Sequence, residues 1–265
     1  MSWRLLEGPD VDIYHSLAIE ETLARVCSQS VDKTSTLRLW KSDPSVVIGR
    51  FQCIHKEADI LHCEKEGIPI ARRFTGGGTV YQDMGNLNFT ICADRSEPYV
   101  PKKLPELYKT FVGEIAYELQ RIGIPARFDR QRSCLRIKGR KISGTAGWVK
   151  RGVSFIHGTL LMDADLSTLR KCLKVPPSQP RYLRNGGKTR CMESKRDEVT
   201  NISSEVPEPP SEEELRAAIV RSIEQITDVK VVRGRMTEQE TDTAHSLYQS
   251  RYSLADWNLG TRAPE

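Results

Sequence analysis

The chain has 265 residues, of which 38% are hydrophobic and 28% charged, ordinary proportions for a globular protein with a sizeable core. No apolar run approaches the roughly 20 residues that cross a bilayer, and no basic segment followed by an apolar stretch opens the chain, so no membrane partner is expected and the setting reads as cytoplasmic. Forty basic against 35 acidic residues leave a net charge of +5, a mild attraction for acidic partners that does not imply nucleic acid.

Residues 12–26 place Ile13, Leu17, Ala18, Leu23, Ala24 and Val26 near helical spacing, with Glu20 and Glu21 among them, which predicts an amphipathic helix. Residues 36–40 alternate as a strand, and 45–51 follow as another, closing on Gly49 and Arg50. A short helix over 58–66 ends before Gly67. Short apolar strands are predicted at 68–71 and 79–81, on either side of a glycine run within residues 72–86. That stretch holds Arg72, Arg73, Gly76, Gly77, Gly78, Thr79, Val80, Tyr81, Gln82, Asp83 and Asn86. Three successive glycines strip a length of backbone of side chains, so bare N–H groups can approach an anion while the arginines bring fixed charge. A plain hairpin would also use the glycines, for the positive φ of its turn, but has no need of two arginines at its entrance. Neither a nucleotide P-loop nor a dinucleotide fingerprint fits the spacing.

A strand at 88–92 returns from the glycine loop, and a long helix is predicted at 106–122 with Leu107, Phe111, Val112, Ile115, Ala116, Leu119 and Ile122 on its buried side. Strands follow at 126–128, 135–138, 141–145 and 152–161, then a short helix at 166–173. Residues 178–198 are basic, with Arg181, Arg184, Lys188, Arg190, Lys195 and Arg196 around Gly186 and Gly187. Such a stretch is either a solvated, flexible loop or a cover that orders over an anionic ligand. A helix starting at Ser211 runs to 226, another covers 237–248, and Trp257 closes the fold. The pattern predicts a single domain over 1–265 of α+β or mixed α/β class. The seven cysteines, Cys27, Cys53, Cys63, Cys92, Cys134, Cys172 and Cys191, are an odd number with no CxxC or zinc spacing. Reduced, inert thiols are the expectation, without a disulfide framework or a cysteine metal site.

A second loaded stretch runs over 138–147, where Lys141 begins a strand just after a turn and has small residues behind it. A surface lysine on an exposed strand would look the same in isolation; next to a glycine anion loop, a mobile ammonium facing open space is the stronger reading. His157 reads as a satisfied histidine at a strand end.

Taken together, these words resemble the lipoate-protein ligase family, within the wider biotin and lipoate ligase fold group. The resemblance covers nearly the whole chain, through 16–21, Trp40, 47–52, 72–86, 139–146, 157–161, 199–202, Tyr252 and 257–260. It implies mixed or antiparallel sheets flanked by helices. It also implies an enzyme that binds lipoate and ATP, forms lipoyl-AMP with loss of pyrophosphate, and passes the lipoyl group to a lysine of an acceptor. Acceptors would be lipoyl domains of 2-oxoacid dehydrogenases or the glycine-cleavage H protein, and octanoate remains open as an alternative acid. Carried over by position, Arg73 and the loop Gly76, Gly77, Gly78, Thr79, Val80 and Tyr81 would hold phosphate and carboxylate, with Asn86 in support. Lys141 matches the site lysine, and Trp40, Gly49 and Val80 would line a slot for the acyl chain. The physical logic agrees: adenylation brings two anions together, and fixed donors must offset their repulsion.

Two positions depart from the family. Gln82 stands where histidine is common, which leaves a positioning role and removes a proton-handling one. Cys134 stands where relatives carry an aspartate near the nucleotide and its magnesium; a thiol is a poor Mg²⁺ ligand, so metal handling would shift to Asp83 or to phosphates and water. Cys134 near Lys141 could instead have a lowered pKa and carry a thioester, as in an octanoyl or lipoyl transferase. A non-catalytic lipoate- or nucleotide-binding protein is the third reading. Family members often continue into a C-terminal accessory domain, and the short stretch after Trp257 leads to the expectation that this part is a separate subunit.

Overall fold

The structure is a computed structural model that describes residues 2–8, 12–30, 34–184 and 191–263. The strand Asn86–Asp94 is its spine, because side chains alternate across a strand and this one has a different partner on each face. Leu87, Phe89 and Ile91 join Trp3, Leu37 and Leu39 in the main core, closed by Phe111, Val112 and Ile115 of helix Leu104–Arg121 and Ile219 and Ile223 of helix Glu212–Thr227. Thr90 and Cys92 face the other way, towards helix Ile13–Gln29, where the Thr90 hydroxyl donates to Glu20 and the Cys92 thiol to the Leu23 carbonyl. That second face carries the polar groups of the site.

Six strands form the central sheet in the order Ser143–Lys150, Val153–Leu161, Asn86–Asp94, Ser35–Trp40, Trp3–Glu7, Val231–Arg233. The first four are joined antiparallel and the last three parallel, so the sheet is mixed, as the α+β reading requires. The edge strand Val231–Arg233 and its neighbour Trp3–Glu7 are not legible in the sequence. Leu5 and Leu6 break the period-two alternation, and both are buried.

The glycine run does not close a hairpin. Strands Ile70–Arg72 and Val80–Gln82 both pair with Ser45–Ile48, which lies between them, parallel to the first and antiparallel to the second. The loop between them therefore crosses over the end of the central strand, and its glycines serve that crossing. The strand expected over 141–145 is likewise divided. Arg140–Lys141 pairs with Cys134–Ile137 in a small sheet, whereas Ser143–Lys150 enters the central one. Ile142 is buried at the step, donating its amide to Leu135 and accepting from that of Leu161, both at 2.9 Å. Lys141 thus stands at a fixed joint between two sheets.

Helix starts follow the sequence closely. Ser211 and Glu214 cap each other reciprocally, as do Thr237 and Glu240. The basic stretch is only partly described, since Gly186, Gly187, Lys188 and Arg190 lie outside the described residues. Of its remainder, Tyr182–Leu183 pairs with Thr261–Arg262, and residues 191–198 run as a strap over the site, with most of their side chains exposed and Ser194 and Asp197 half-buried.

The cysteine reading needs one correction: Cys53 and Cys191 are joined as a disulfide across 138 positions of sequence, a pairing that spacing alone could not reveal. Cross-linking so long a loop restricts the unfolded chain by roughly 5 kcal/mol on a loop-entropy basis. Cys191→Ser is expected to lower Tm by several degrees, and a reductant to do the same to the wild type while leaving the variant unmoved. A wild type insensitive to reductant would count against the cross-link.

Candidate functional site

A cavity of about 720 Å³ opens where helix Ile13–Gln29, the glycine loop, the Lys141 joint and the strap meet. Its wall includes the apolar Leu17, Trp40, Val47, Val80 and Leu161 and the cationic Arg132, Lys141, Lys195 and Arg196. The expected site residues Arg73, Gly77, Gly78, Thr79, Val80, Tyr81, Gln82, Trp40, Lys141 and His157 all reach it. Gly49, Gly76, Asp83, Asn86 and Cys134 do not line it.

Arg73 shapes the loop from within. Its buried guanidinium donates to the carbonyls of Val47 at 3.2 Å and of Gly76 and Gly78 at 2.7 Å, and to Thr75 Oγ1 at 3.1 Å. Burial pushes its pKa down to about 10, and the nearby Glu20 and Glu57 oppose that shift. Gly77 takes φ +90°, a region open to glycine, and its carbonyl sits where a side chain on Gly49 would be. Gly49 therefore serves the close packing of the loop and not the acyl slot. Arg72 is turned the opposite way, to the Trp257 carbonyl at 2.8 Å and the Gln52 carbonyl at 2.7 Å. Of the loop amides, Thr79 donates to Ser194 Oγ at 2.8 Å, and those of Gly77 and Gly78 meet no acceptor among the described residues.

Behind the loop, Thr75 Oγ1 lies 2.7 Å from His157 Nε2, and His157 Nδ1 pairs with Glu20. His157 is thus satisfied, though it sits inside strand Val153–Leu161 rather than at its end. Glu20 is fully buried; burial by itself raises its pKa, but the His157 ring and the Arg38 guanidinium outweigh that and hold it below the ordinary carboxylate range.

Lys141 projects into the cavity with Nζ 3.7 Å from Asp197. Asp197 also binds Arg132 Nη2 at 2.6 Å and Arg136 Nη2 at 2.7 Å, so one carboxylate aligns three cations, and together they hold its pKa down against burial. Backbone bonds fix this arrangement: the Lys141 amide donates to Glu198 at 2.9 Å and its carbonyl accepts from Thr200 at 3.0 Å.

Several expected roles change. Asp83 accepts the amides of Gly85 and Asp165, both at 2.8 Å, so it braces a turn and does not offer oxygens to a metal at the cavity. Asn86 is a buried brace, donating to Thr159 Oγ1 at 2.9 Å. Gln82 reaches the cavity and accepts from Ser42 at 3.3 Å. Cys134 is buried; burial raises its thiol pKa and outweighs the opposing charge of Lys141, the reverse of the lowering expected from sequence. Glu57, Ser194 and Asp197 are not singled out by the sequence, because two lie in the stretch that reads as either a solvated loop or a cover, and Glu57 has no motif around it.

Residues 12–224 match the family model described as the lipoyl protein ligase A/B catalytic domain. A Thermoplasma acidophilum structure of a bi-partite lipoate protein ligase and its E2 lipoyl domain is similar with a TM-score of 0.81 at 31% identity, over 100% of this chain and 99% of that one. A Thermoplasma acidophilum protein with bound lipoic acid gives 0.81 at 28%, covering 98% and 100%. A lipoate-protein ligase A bound with ATP gives 0.80 at 28%, covering 98% and 99%.

A carboxyl with a depressed folded pKa contributes stability that is present above its unfolded pKa, about 4.3, and is lost as pH falls through the folded value. Glu20→Gln is expected to lower Tm at neutral pH and to make its decline between about pH 5 and pH 3 shallower than in the wild type. An acid limb unchanged in slope would argue against the Glu20–His157 pairing.

Proposed function

We propose a function from one premise: the chain belongs to the lipoyl protein ligase A/B catalytic-domain family. It is an ATP-dependent lipoate-protein ligase, which activates lipoate as lipoyl-AMP and transfers the lipoyl group to a lysine of an acceptor lipoyl domain. The observation that carries this reading is the joining of Lys141 and the bare glycine amides to one cavity that also has an apolar wall. Such a cavity suits a molecule with an apolar chain and an anionic head.

In the first step a carboxylate oxygen of lipoate attacks the α-phosphorus of ATP, and the bond to the β-phosphate breaks with pyrophosphate taking the electron pair. Lys141 lies between acyl carboxylate and α-phosphate and offsets the charge of both, while the Gly77 and Gly78 amides supply fixed donors. Arg73 contributes by holding those amides in place. In the second step the neutral amine of the acceptor lysine attacks the acyl carbon, the bond to the phosphate oxygen breaks, and AMP leaves as the amine sheds its proton to solvent. Lys141 then faces the developing oxyanion. Trp40, Val47 and Val80 enclose the acyl chain.

The acidic side chains around the cavity do not fit a protein-held Mg²⁺. Glu20 is bound to His157 and Thr90, Glu193 to Lys56, and Asp197 to Arg132 and Arg136. No group of three metal-binding side chains occurs among the described residues. Any Mg²⁺ that accompanies ATP would be held by phosphates and water. A thioester at Cys134 has no support, since that thiol is buried off the cavity with its pKa raised. The similarity to a bi-partite ligase with its E2 lipoyl domain supports a separate accessory subunit and a lipoyl-domain acceptor. Among the described residues no helix is long and apolar enough to cross a membrane.

Lys141→Ala is expected to reduce lipoate-dependent pyrophosphate release by at least 10³-fold, consistent with about 4 kcal/mol of lost transition-state stabilisation, with Tm within a few degrees of wild type. Cys134→Ser should keep most activity; its complete loss would revive the thioester route. Mass spectrometry of an acceptor lipoyl domain should show little modification by the chain alone and much more when the accessory subunit is added. Full modification without that subunit would remove the need for it.

A further inference from the structure

We propose that Glu57 is a positioning residue that holds the strap, with its cations Lys195 and Arg196, across the cavity; this rests on the ligase reading above. Glu57 follows the short turn Ile54–Lys56 and is completely buried. A buried carboxylate is unfavourable unless its oxygens are satisfied. Here the strap satisfies them: Oε1 accepts the Ser194 amide at 2.9 Å, and Oε2 accepts the Ser194 hydroxyl and lies 3.5 Å from Arg196 Nη2. Arg196 also donates to the Glu57 carbonyl at 2.9 Å. The glycine loop meets the same oxygen, with Thr79 Oγ1 at 3.1 Å.

Ser194 is the hinge of this arrangement. While donating to Glu57, its hydroxyl accepts from the Thr79 amide at 2.8 Å and from Gln52 Nε2 at 3.0 Å. A side chain on Gly78 would lie 3.0 Å from that hydroxyl, so this glycine is bare where the strap docks on it. The same turn grips the strap at neighbouring points: the Cys53–Cys191 disulfide, the Met192 amide to the Phe51 carbonyl at 3.0 Å, and Lys56 to Glu193 at 2.7 Å. The far end is fixed at Lys141 through Glu198 and Asp197.

The strap therefore bridges the cavity between two anchors, and the cations it adds to the wall, Lys195 and Arg196, take their places from that span. Glu57 touches no reacting atom. It fixes Ser194 of the strap against the glycine loop and Arg196 beside it, so its loss should weaken the binding of the phosphates while leaving the acyl wall alone.

The test measures pyrophosphate release against ATP at saturating lipoate and against lipoate at saturating ATP, with direct calorimetric binding of ATP beside it. Glu57→Gln keeps the size of the side chain but replaces one acceptor oxygen by a donor. It is expected to raise KM and Kd for ATP at least tenfold, with KM for lipoate within twofold and kcat within threefold. Ser194→Ala, at a partly exposed position, should give the same selective change, and the double variant should be no worse than Glu57→Gln alone, because both remove one link. An unchanged Kd for ATP in either single variant overturns the proposal, and so does an equal rise in both KM values with a large fall in Tm. If the wild type releases no pyrophosphate with lipoate and ATP, the ligase reading fails, and the Kd comparison still decides for or against Glu57.

Discussion

The site depends on one buried charge. The Arg73 guanidinium is taken out of water inside the glycine loop, a placement that would cost several kcal/mol if its N–H groups were left unmet. The loop carbonyls of Gly76 and Gly78 curl back to meet them on either side of Gly77, which takes φ +90° and where a side chain would lie 2.9 Å from Arg73 Nη2. Thr75 takes a further N–H and passes the contact to His157 and Glu20 on the facing helix. The loop that must present bare amides to a ligand is thereby held rigid from behind, and its shape is tied to the polar face of the central sheet.

Neighbouring arginines divide the work of anchoring. Strand geometry sends Arg72 and Arg73 to opposite sides, so one clamps the glycine loop while the other clamps the turn at 49–52 and the short helix Ala255–Asn258. Both guanidinium groups are largely spent on carbonyls. The rest of the positive charge at the cavity comes from Lys141 at the joint between sheets, from Arg132, and from the strap. An arginine pair before a glycine run suggests direct anion binding; here it builds the frame, and Arg132, Lys141, Lys195 and Arg196 add further cations to the cavity wall.

Electrostatic order is then imposed by carboxylates whose oxygens are taken up by neighbouring side chains. Asp197 gathers Arg132, Arg136 and Lys141, and Glu57 gathers Ser194 and Arg196. Cations crowded into one cavity repel one another, and an interposed carboxylate lets them share it without splaying apart. Preorganised charge of this kind contributes at the transition state because it need not be rearranged during the reaction. Burial keeps the Cys134 thiol pKa raised although Lys141 and Arg136 pull it the other way.

Much was legible in the sequence because it is local. Helical periodicity located Ile13–Gln29, Leu104–Arg121, Glu212–Thr227 and Glu238–Leu247 to within a few residues, and Ser211 and Thr237 marked helix starts through contacts only three residues long. The glycine loop and Lys141 were recognisable as site words, since bare backbone and a lysine after a turn have few other uses together. What each word does was a tertiary matter. Whether Arg73 meets a ligand or a carbonyl, whether the glycines turn a hairpin or cross a sheet, and which cysteines pair all depend on residues tens to hundreds of positions away. The sequence by itself determined the long helices, most of the strands and the chemistry available at 72–86 and 141; the tertiary structure alone decided which buried charges are satisfied by which partners, because desolvation penalties exist only once the chain has closed around them.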